Sequence, residues 1–364
     1  MRAIGLMSGT SMDGLDIALI ETDGESHVRR VGAASIAYPD DFRIRLRQGL
    51  VDAAALQTRT DRPGDLAALE QELTERHAAA VERFLGDRML QPSVIDVIGF
   101  HGQTVLHRPD SGLTVQIGDG PLLARLAGID VVHDLRAADC AAGGQGAPLV
   151  PVYHRALAAP IAERPLAILN IGGVANVTWI GRDGALIAFD TGPGNALIDD
   201  WMLRHTGVAR DADGALAATG RVDDEALHAW LSLPYFSQTT PKSLDRNAFA
   251  LDPVAHLSPA DGAATLTAFT AYSIARAREH FPEQPGLWII TGGGRRNRTL
   301  MSLIAARVEN AVAPAEAAHL DGDNMEAEAW AYLAVRSLSG LPITFPATTG
   351  APCAMTGGAV ARAG

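Results

Sequence analysis

The chain has 364 residues and a formal net charge of −12 at pH 7. This length predicts about two domains. The negative charge excludes nucleic acid as an expected partner, because the summed field would repel a phosphate backbone.

Cysteine use and hydropathy also limit the class of protein. Cys140 and Cys353 are the only cysteines, so no disulfide framework is expected and both are interpreted as small buried residues. We expect no leader before the first strand, and we find no apolar run of the roughly 18 residues that a membrane span needs. The expectation is a cytoplasmic protein without a membrane partner.

The first half of the chain is predicted to form a strand meander followed by helices and more strands. The predicted strands are 2–7, 15–22, 28–37, 94–100, 113–117 and 130–133, with helices at 40–54 and 65–86.

The second half repeats this order of strands and then helices. Strands are predicted at 166–171, 174–180, 185–189 and 287–291, and helices at 150–158, 195–206, 223–231, 262–280, 296–307 and 324–339. Segments 208–222 and 232–260 are predicted to be irregular. The repeat indicates two α/β domains, at 1–145 and 146–364, with a hinge cleft between them.

A polar loop, GLMSGTSMDGLD at residues 5–16, joins the first two predicted strands. Its glycines allow an anion to approach the backbone, and Asp13 and Asp16 are suited to magnesium or its waters. Loop amides can donate to phosphate oxygens, as can the hydroxyls of Ser8, Thr10 and Ser11. The pattern is neither a Walker loop nor a dinucleotide fingerprint, and a plain tight hairpin is the alternative.

Two later glycine turns have similar chemistry. Strand 185–189 runs into DTGPGN at residues 190–195 before a helix, which is typical of an anion site. Asp190 is expected at the carboxyl end of that strand, with a helix cap or a magnesium-water ligand as the alternative role. The turn TGGG at residues 291–294 leaves room for a nucleobase or ribose, and the alternative is a tight strand-to-helix turn. The flanking arginines, which either contact nucleotide or start a solvated helix, are Arg295, Arg296 and Arg298.

These three loops in this order resemble the sugar kinase, heat-shock chaperone and actin superfamily. Residues 5–16 more narrowly resemble the signature of the anhydro-N-acetylmuramic acid kinases of bacterial cell-wall recycling. Further segments that carry this resemblance are HGQT at 101–104, QIG at 116–118, AAGGQGAPLVP at 141–151, NIGG at 170–173 and DTGPGN at 190–195. The similarity spans about residues 2–340.

The resemblance implies a duplicated actin-like (ribonuclease H-like) two-domain sugar kinase fold with an interdomain cleft. It also implies ATP and Mg²⁺ as cofactors and a homodimer. The implied reaction opens the 1,6-anhydro bridge of 1,6-anhydro-N-acetylmuramic acid with water and phosphorylates the 6-oxygen. Its products, N-acetylmuramic acid 6-phosphate and ADP, place the enzyme in peptidoglycan recycling and amino sugar catabolism.

The resemblance also implies site residues. Asp190 would be the base that activates the water, and Asp13 would hold the metal, directly or through water. Nucleotide would contact Gly9, Thr10, Ser11, Met12, Asp13, Gly14, Leu15, Asp16, Gly192, Gly194, Asn195, Gly292, Gly293 and Gly294. The sugar would contact His101, Gln103, Gly144, Gln145 and Glu326.

Several of these residues have alternative interpretations. Free amides in 143–146, just before a helix expected at Ala147-Pro148, suit the lactyl carboxylate of a muramic acid, but the segment could be a hinge. Glu326 aligns with the family's sugar-site glutamate better than Glu328, although an acidic residue here also suits the helix dipole. Lys242 is interpreted as a surface charge or a substrate contact.

Three other functions remain open at this point. An ordinary sugar kinase would use Asp190 to deprotonate a free hydroxyl and would break no bond in the sugar. An ATP-dependent chaperone or filament protein would need no sugar. A glycosidase would use Asp190 and Glu326 as an acid and base pair and would need no ATP.

Overall fold

A computed structural model describes residues 1–9, 11–246 and 248–364, so Thr10 lies outside the described residues. The chain forms two compact units, unit 1 (Met1–Ala159 with Asn324–Gly364) and unit 2 (Pro160–Asp323). The expected division at 145/146 differs from this in two ways. The chain leaves unit 1 later, and its C-terminal segment returns to unit 1.

Unit 1 begins with the predicted meander. Its elements up to the crossing are β1 (Arg2–Ser8), β2 (Gly14–Thr22), β3 (Val28–Ala37), α1 (Asp40–Ala53), α2 (Leu66–Gly86), β4 (Val97–Phe100), β5 (Gln103–Arg108), β6 (Leu113–Ile117), α3 (Gly120–Ala127), β7 (Val131–His133), α4 (Ala137–Ala141) and α5 (Pro151–Ala158). Helix α5 therefore starts at Pro151, later than the start expected at Ala147-Pro148.

Unit 2 and the return segment follow. Unit 2 contains β8 (Leu166–Ile171), β9 (Val174–Ile180), β10 (Leu186–Pro193), α6 (Ala196–Thr206), α7 (Asp224–Leu231), α8 (Pro259–Arg276), β11 (Leu287–Thr291), α9 (Arg298–Val308) and β12 (Ala311–Pro314). The return segment adds α10 (Met325–Leu338), α11 (Pro346–Thr349) and β13 (Ala359–Ala361) to unit 1.

The two main sheets share one topology. Unit 1 has the order β13-β7-β4-β1-β2-β3 and unit 2 the order β10-β9-β8-β11-β12. In each unit three antiparallel strands form a meander. The first strand of the meander pairs in parallel with a fourth strand, and the fourth pairs in parallel with a fifth. This repeat confirms the expected duplicated, ribonuclease H-like α/β fold.

Strand β10 is longer than expected. It continues through Thr191 and Gly192 to Pro193, so Asp190 lies inside the strand and not after its end. A bulge between Asp190 and Gly192 interrupts the pairing with β9. Proline and glycine normally end a strand, but an edge strand with a bulge tolerates both.

The structure also bears on the cysteines and on membrane-spanning helices. Cys140 is buried as predicted, whereas Cys353 is exposed, so its interpretation as a buried residue was wrong. In the described parts of the chain, no helix combines the length and the apolar character needed to cross a bilayer.

Helix α10 lies directly on the backbone of the unit 1 sheet. Gly5 and Gly99 are paired across β1 and β4. A Cβ atom on Gly5 would lie 1.8 Å from Ala327 O, and one on Gly99 would lie 2.0 Å from Trp330 O. Because only glycine permits this approach, these two positions set the depth at which α10 packs.

We expect Gly99→Ala to lower the free energy of unfolding by about 2 kcal/mol or more, because its methyl group must push α10 off the sheet. Gly86→Ala, at the end of α2 with nothing within 4 Å of the added atom, is the matched control and should be neutral or slightly stabilising. Urea denaturation followed by circular dichroism measures both. Equal stability of the two variants would contradict this account of the packing.

Candidate active site

The parallel strands of unit 1 end at one edge of the sheet. β1, β4 and β7 stop at Ser8, Phe100 and His133, and the residues after such strand ends commonly form ligand sites. A cavity of about 280 Å³ lies there, lined among others by His101 and Gln116.

Side-chain hydrogen bonds hold the start of the hairpin loop between β1 and β2. The Ser8 hydroxyl donates to Gln103 Oε1 at 2.7 Å and accepts from the Tyr38 hydroxyl at 3.0 Å. Gln103 Nε2 in turn donates to Gly9 O at 3.2 Å. The expectation that Ser8 donates to phosphate was therefore wrong in this structure, since its hydroxyl hydrogen is used inside the unit, and Gln103 holds the loop.

The upper part of the loop carries the carboxylates. Ser11 Oγ donates to Asp13 Oδ1 at 2.6 Å, and Asp16 accepts from Ser35. A Cβ atom on Gly9 would meet only Ser11 Oγ, at 3.8 Å, so packing within the chain does not require glycine at this position.

The side chains of the loop determine whether it could bind a metal ion. Within residues 1–9, 11–246 and 248–364, no group of three or more His, Cys, Asp or Glu side chains could hold a metal ion by itself. Asp13 and Asp16 fit Mg²⁺, which commonly takes one or two carboxylates and completes its shell with waters and phosphate oxygens.

His101 lies between an aromatic ring and a cation. Its ring centroid is 4.7 Å from that of Trp330, and its Nε2 is 3.4 Å from Arg136 Nη2. Burial, with the Arg136 charge, lowers the pKa of His101 to about 3, so its imidazole is neutral at physiological pH. Sequence analysis missed Arg136, and its only signal was a cation just after a short strand.

Glu326 and Glu328 point in different directions from α10. Glu328 is 3% exposed and accepts a hydrogen bond of 2.7 Å from the Tyr153 hydroxyl, whereas Glu326 is exposed. Desolvation by the surrounding protein nevertheless raises the pKa of the Glu326 carboxyl, and the Arg136 charge opposes that rise. Of the two glutamates, only Glu326 is accessible to a ligand.

The glycine-rich segment at 143–146 does not offer free amides. Gly144 N donates to Asp139 O at 2.9 Å, Gln145 N to Thr349 O at 2.6 Å and Gly146 N to Asp139 Oδ1 at 2.6 Å. The expectation of free amides here was wrong, because the main-chain carbonyl and carboxylate of Asp139 and the returning C-terminal segment accept their hydrogen bonds.

In unit 2, no ion pair joins Asp190 to another residue among those that the structure describes. Its Oδ2 accepts from Leu244 N at 2.7 Å. Burial raises the pKa of Asp190 to about 7, against a smaller lowering by the Leu244 amide. A carboxylate with such a pKa suits a general base at neutral pH.

The tip of the β8–β9 hairpin, Gly172-Gly173, is the topological counterpart of the β1–β2 loop. Gly172 O accepts from Asn195 N at 2.7 Å, and Gly173 O accepts from Gly194 N at 2.9 Å. A Cβ atom on Gly172 or Gly173 would have only ordinary contacts, at 3.6 and 3.7 Å. The NIGG motif that contains these glycines entered the sequence analysis only through the resemblance, with no site role given to it.

Gly192 inside β10 and Gly194 just after it are glycines for a different reason. A Cβ atom on Gly194 would lie 2.2 Å from Gly172 O, and one on Gly192 would lie 2.5 Å from Ser273 Oγ. Packing alone therefore requires both.

The late glycine turn borders a second cavity, of about 390 Å³, whose lining includes Asn195, Gly293 and Arg296. Gly292 and Gly294 are crowded, since a Cβ atom on either would lie 2.3 Å from a neighbouring atom, but Gly293 is open.

Arg295 braces this turn from inside unit 2. Its side chain is 4% exposed, pairs with Glu316 at 2.7 Å and Asp323 at 3.0 Å, and donates to Gly292 O at 2.8 Å. It is therefore not part of a solvated helix start.

We expect Glu328→Ala to lower the free energy of unfolding by about 2 kcal/mol, because it removes a buried acceptor from the Tyr153 hydroxyl. Glu326→Ala, two residues away on the same helix, should stay within about 0.5 kcal/mol of the unchanged chain. Urea denaturation compares the two, and a larger loss from Glu326→Ala would contradict the assignment of the two faces.

Comparison with known proteins identifies the family. A family model described as anhydro-N-acetylmuramic acid kinase matches residues 1–363. The anhydro-N-acetylmuramic acid kinase of Methylobacterium nodulans is 56% identical over 374 aligned residues, covering 100% of both chains. That of Rhodospirillum rubrum is 56% identical and covers 98% of this chain and 93% of the relative.

A similar but much more distant match is found among solved structures. The (R)-2-hydroxyglutaryl-CoA dehydratase component A of Acidaminococcus fermentans is 12% identical, covers 93% of this chain and 99% of that one, and has a TM-score of 0.49. The family model and the close relatives carry the assignment: this chain belongs to the anhydro-N-acetylmuramic acid kinase family.

Proposed function

We propose that this chain opens 1,6-anhydro-N-acetylmuramic acid with water and phosphorylates its 6-oxygen from ATP, giving N-acetylmuramic acid 6-phosphate and ADP. The observation that carries the proposal is the half-buried Asp190 carboxylate, which the Leu244 amide holds at 2.7 Å and whose pKa desolvation raises to about 7. Full-length relatives named for this activity support it. We place the reaction in the cytoplasm, as a step of peptidoglycan recycling and amino sugar catabolism.

Asp190 would act on water. Its carboxylate takes a proton as the water oxygen attacks the anomeric carbon, and the bond from that carbon to the 6-oxygen breaks. The 6-oxygen then attacks the γ-phosphorus, and ADP leaves. Phosphoryl transfer needs chiefly positioning and electrostatic stabilisation, so one base is enough for both bond changes.

The nucleotide would bind to the glycine turns. We assign phosphate contacts to the β1–β2 loop, residues 9–16, and to the Gly172-Gly173 tip with Asn195. The open position of Gly293 and the 390 Å³ cavity beside it would take the nucleoside. Gly192, Gly194, Gly292 and Gly294 would act by shaping these turns, because each is crowded by neighbouring atoms.

Mg²⁺ would be held by Asp13 and Asp16, directly or through water, together with the phosphates. When bound, it supplies positive charge that neutralises the phosphate oxygens.

The sugar would bind at the carboxyl edge of the unit 1 strands. Neutral His101 with Arg136 and Glu326 supplies donors and an acceptor for sugar hydroxyls, and Gln103 orients the loop beside them. Gly144 and Gln145 would contribute the shape of their segment, since their amides are engaged. The homodimer, the absence of nucleic acid and a cleft shared by both substrates stay predictions.

Replacing the base tests its role. We expect Asp190→Asn to bind ATP normally and to lose turnover by about two orders of magnitude or more, because the amide cannot accept the proton. In the unchanged enzyme, kcat/KM should fall about tenfold per pH unit below the Asp190 pKa of about 7, since the protonated acid is inactive.

The control is Asp200→Asn on α6, which alters an exposed ion pair with Arg246 and should leave both measurements unchanged. A coupled ADP-release assay from pH 5.5 to 9 measures turnover. Normal turnover in Asp190→Asn would remove this residue from the mechanism.

Isotope labelling tests the ring opening. With ATP and the anhydro sugar in oxygen-18 water, we expect mass spectrometry to find one heavy oxygen at the anomeric hydroxyl of the phosphorylated product. An unlabelled product would indicate an ordinary sugar kinase. Sugar opening without ATP would indicate a glycosidase, and ATP hydrolysis that ignores the sugar would indicate a chaperone or filament protein.

A further inference from the structure

The backbone of Asp190 is held by a segment that sequence analysis predicted to be irregular. β10 is the edge strand of the unit 2 sheet. The outer N–H and C=O groups of an edge strand have no strand to pair with and need other partners. At Asp190, the segment at residues 234–244, which we call the 234–244 clamp, supplies those partners.

Three hydrogen bonds connect the clamp to Asp190. Asp190 N donates to Lys242 O at 3.0 Å, the Tyr235 hydroxyl donates to Asp190 O, and Leu244 N donates to Asp190 Oδ2 at 2.7 Å. Backbone N–H, backbone C=O and side-chain carboxylate are thus all fixed by one short stretch of chain. The bulge after Asp190 interrupts the pairing with β9 on the other side, so the clamp takes over part of the work of a neighbouring strand.

The Lys242 side chain makes a contact within the clamp. The side chain is buried, contrary to its interpretation as a surface charge, and its Nζ donates to Tyr235 O at 3.2 Å. The ammonium also lies 4.7 Å from the Tyr235 ring centroid and 5.8 Å from that of Phe189. Within the described part of the chain, no ion pair joins it to a carboxylate, so its hydrogen bonds and ring contacts are what offset the cost of burial.

We propose that Tyr235 and Lys242 are positioning residues that, through the 234–244 clamp, hold the Asp190 carboxylate in a fixed orientation, partly shielded from bulk water, for catalysis. This inference rests on the proposed function of Asp190 as the base. Neither side chain is assigned a contact with substrate.

The groups around the carboxylate are consistent with a clamp that works through neutral contacts. Of the ionisable groups of the clamp, Tyr235 meets Asp190 through its hydroxyl and Lys242 through its main chain, and the Lys242 ammonium faces His280, with Arg276 and Glu279 near it. Burial raises the pKa of Asp190, and the hydrogen bond from the Leu244 amide lowers it. Loosening the clamp should therefore act by admitting water to the carboxylate.

The test compares Tyr235→Phe with Tyr272→Phe. Tyr272 packs on the same apolar cluster of unit 2 as Tyr235, but its ring lies against Arg307 on α9. We expect Tyr235→Phe to lower kcat about tenfold, because one hydrogen bond to the base is lost, with the KM values for ATP and sugar changed less than about twofold. The acid limb of its kcat/KM profile should move to lower pH, because a better hydrated carboxylate loses its proton more easily.

Tyr272→Phe should leave kcat and the acid limb unchanged, and thermal unfolding of both variants shows whether they are equally folded. Lys242→Met, which keeps the apolar stem and removes the ammonium, should shift the acid limb in the same direction and serves as the test if Tyr235→Phe does not fold.

The proposed role of the clamp would be overturned if the folded variants had the same kcat and the same acid limb of the kcat/KM profile as the unchanged enzyme. If Asp190→Asn were fully active, the proposed base would fail instead, so the two failures are distinguishable.

Discussion

The close approach of α10 to the unit 1 sheet is the contact on which this structure most depends. Gly5 and Gly99 lie side by side in β1 and β4, and their missing side chains let the helix backbone rest on the strands. This contact brings the C-terminal segment back to the first unit and explains why a contiguous division of the chain fails. It also places Trp330 against His101 and presents Glu326 to solvent.

The same five-strand topology serves different chemistry in the two units. In unit 1, the strand ends present charged and polar side chains, with His101 and Arg136 next to each other. In unit 2, the first hairpin ends in Gly172-Gly173, where an added Cβ atom would make only ordinary contacts. The edge strand then departs from regular pairing at Asp190, where the 234–244 clamp supplies the missing partners.

Burial sets the protonation of the candidate residues more than charge pairing does. It lowers the pKa of His101 to about 3 and raises that of Asp190 to about 7. Because the folded pKa of Asp190 lies above its ordinary value of 3.8, the contribution of this group to stability is present below pH 3.8 and is lost as the pH rises through 7. The protein thus gives up some stability near neutral pH at this carboxylate, whose pKa lies close to 7.

The sequence by itself determined the features that depend on near neighbours in the chain: the two meanders, the glycine turns and the motifs of the family. Alternation of apolar residues and the backbone freedom of glycine are local properties, so they can be predicted without a structure. Only the tertiary structure decided which side chains and amides are free to act. Ser8 and the amide of Gln145 are engaged by distant residues, while Arg136 and Tyr235 have partners dozens of positions away. Such pairings follow from the packing of whole units, and no pattern along the chain encodes them directly.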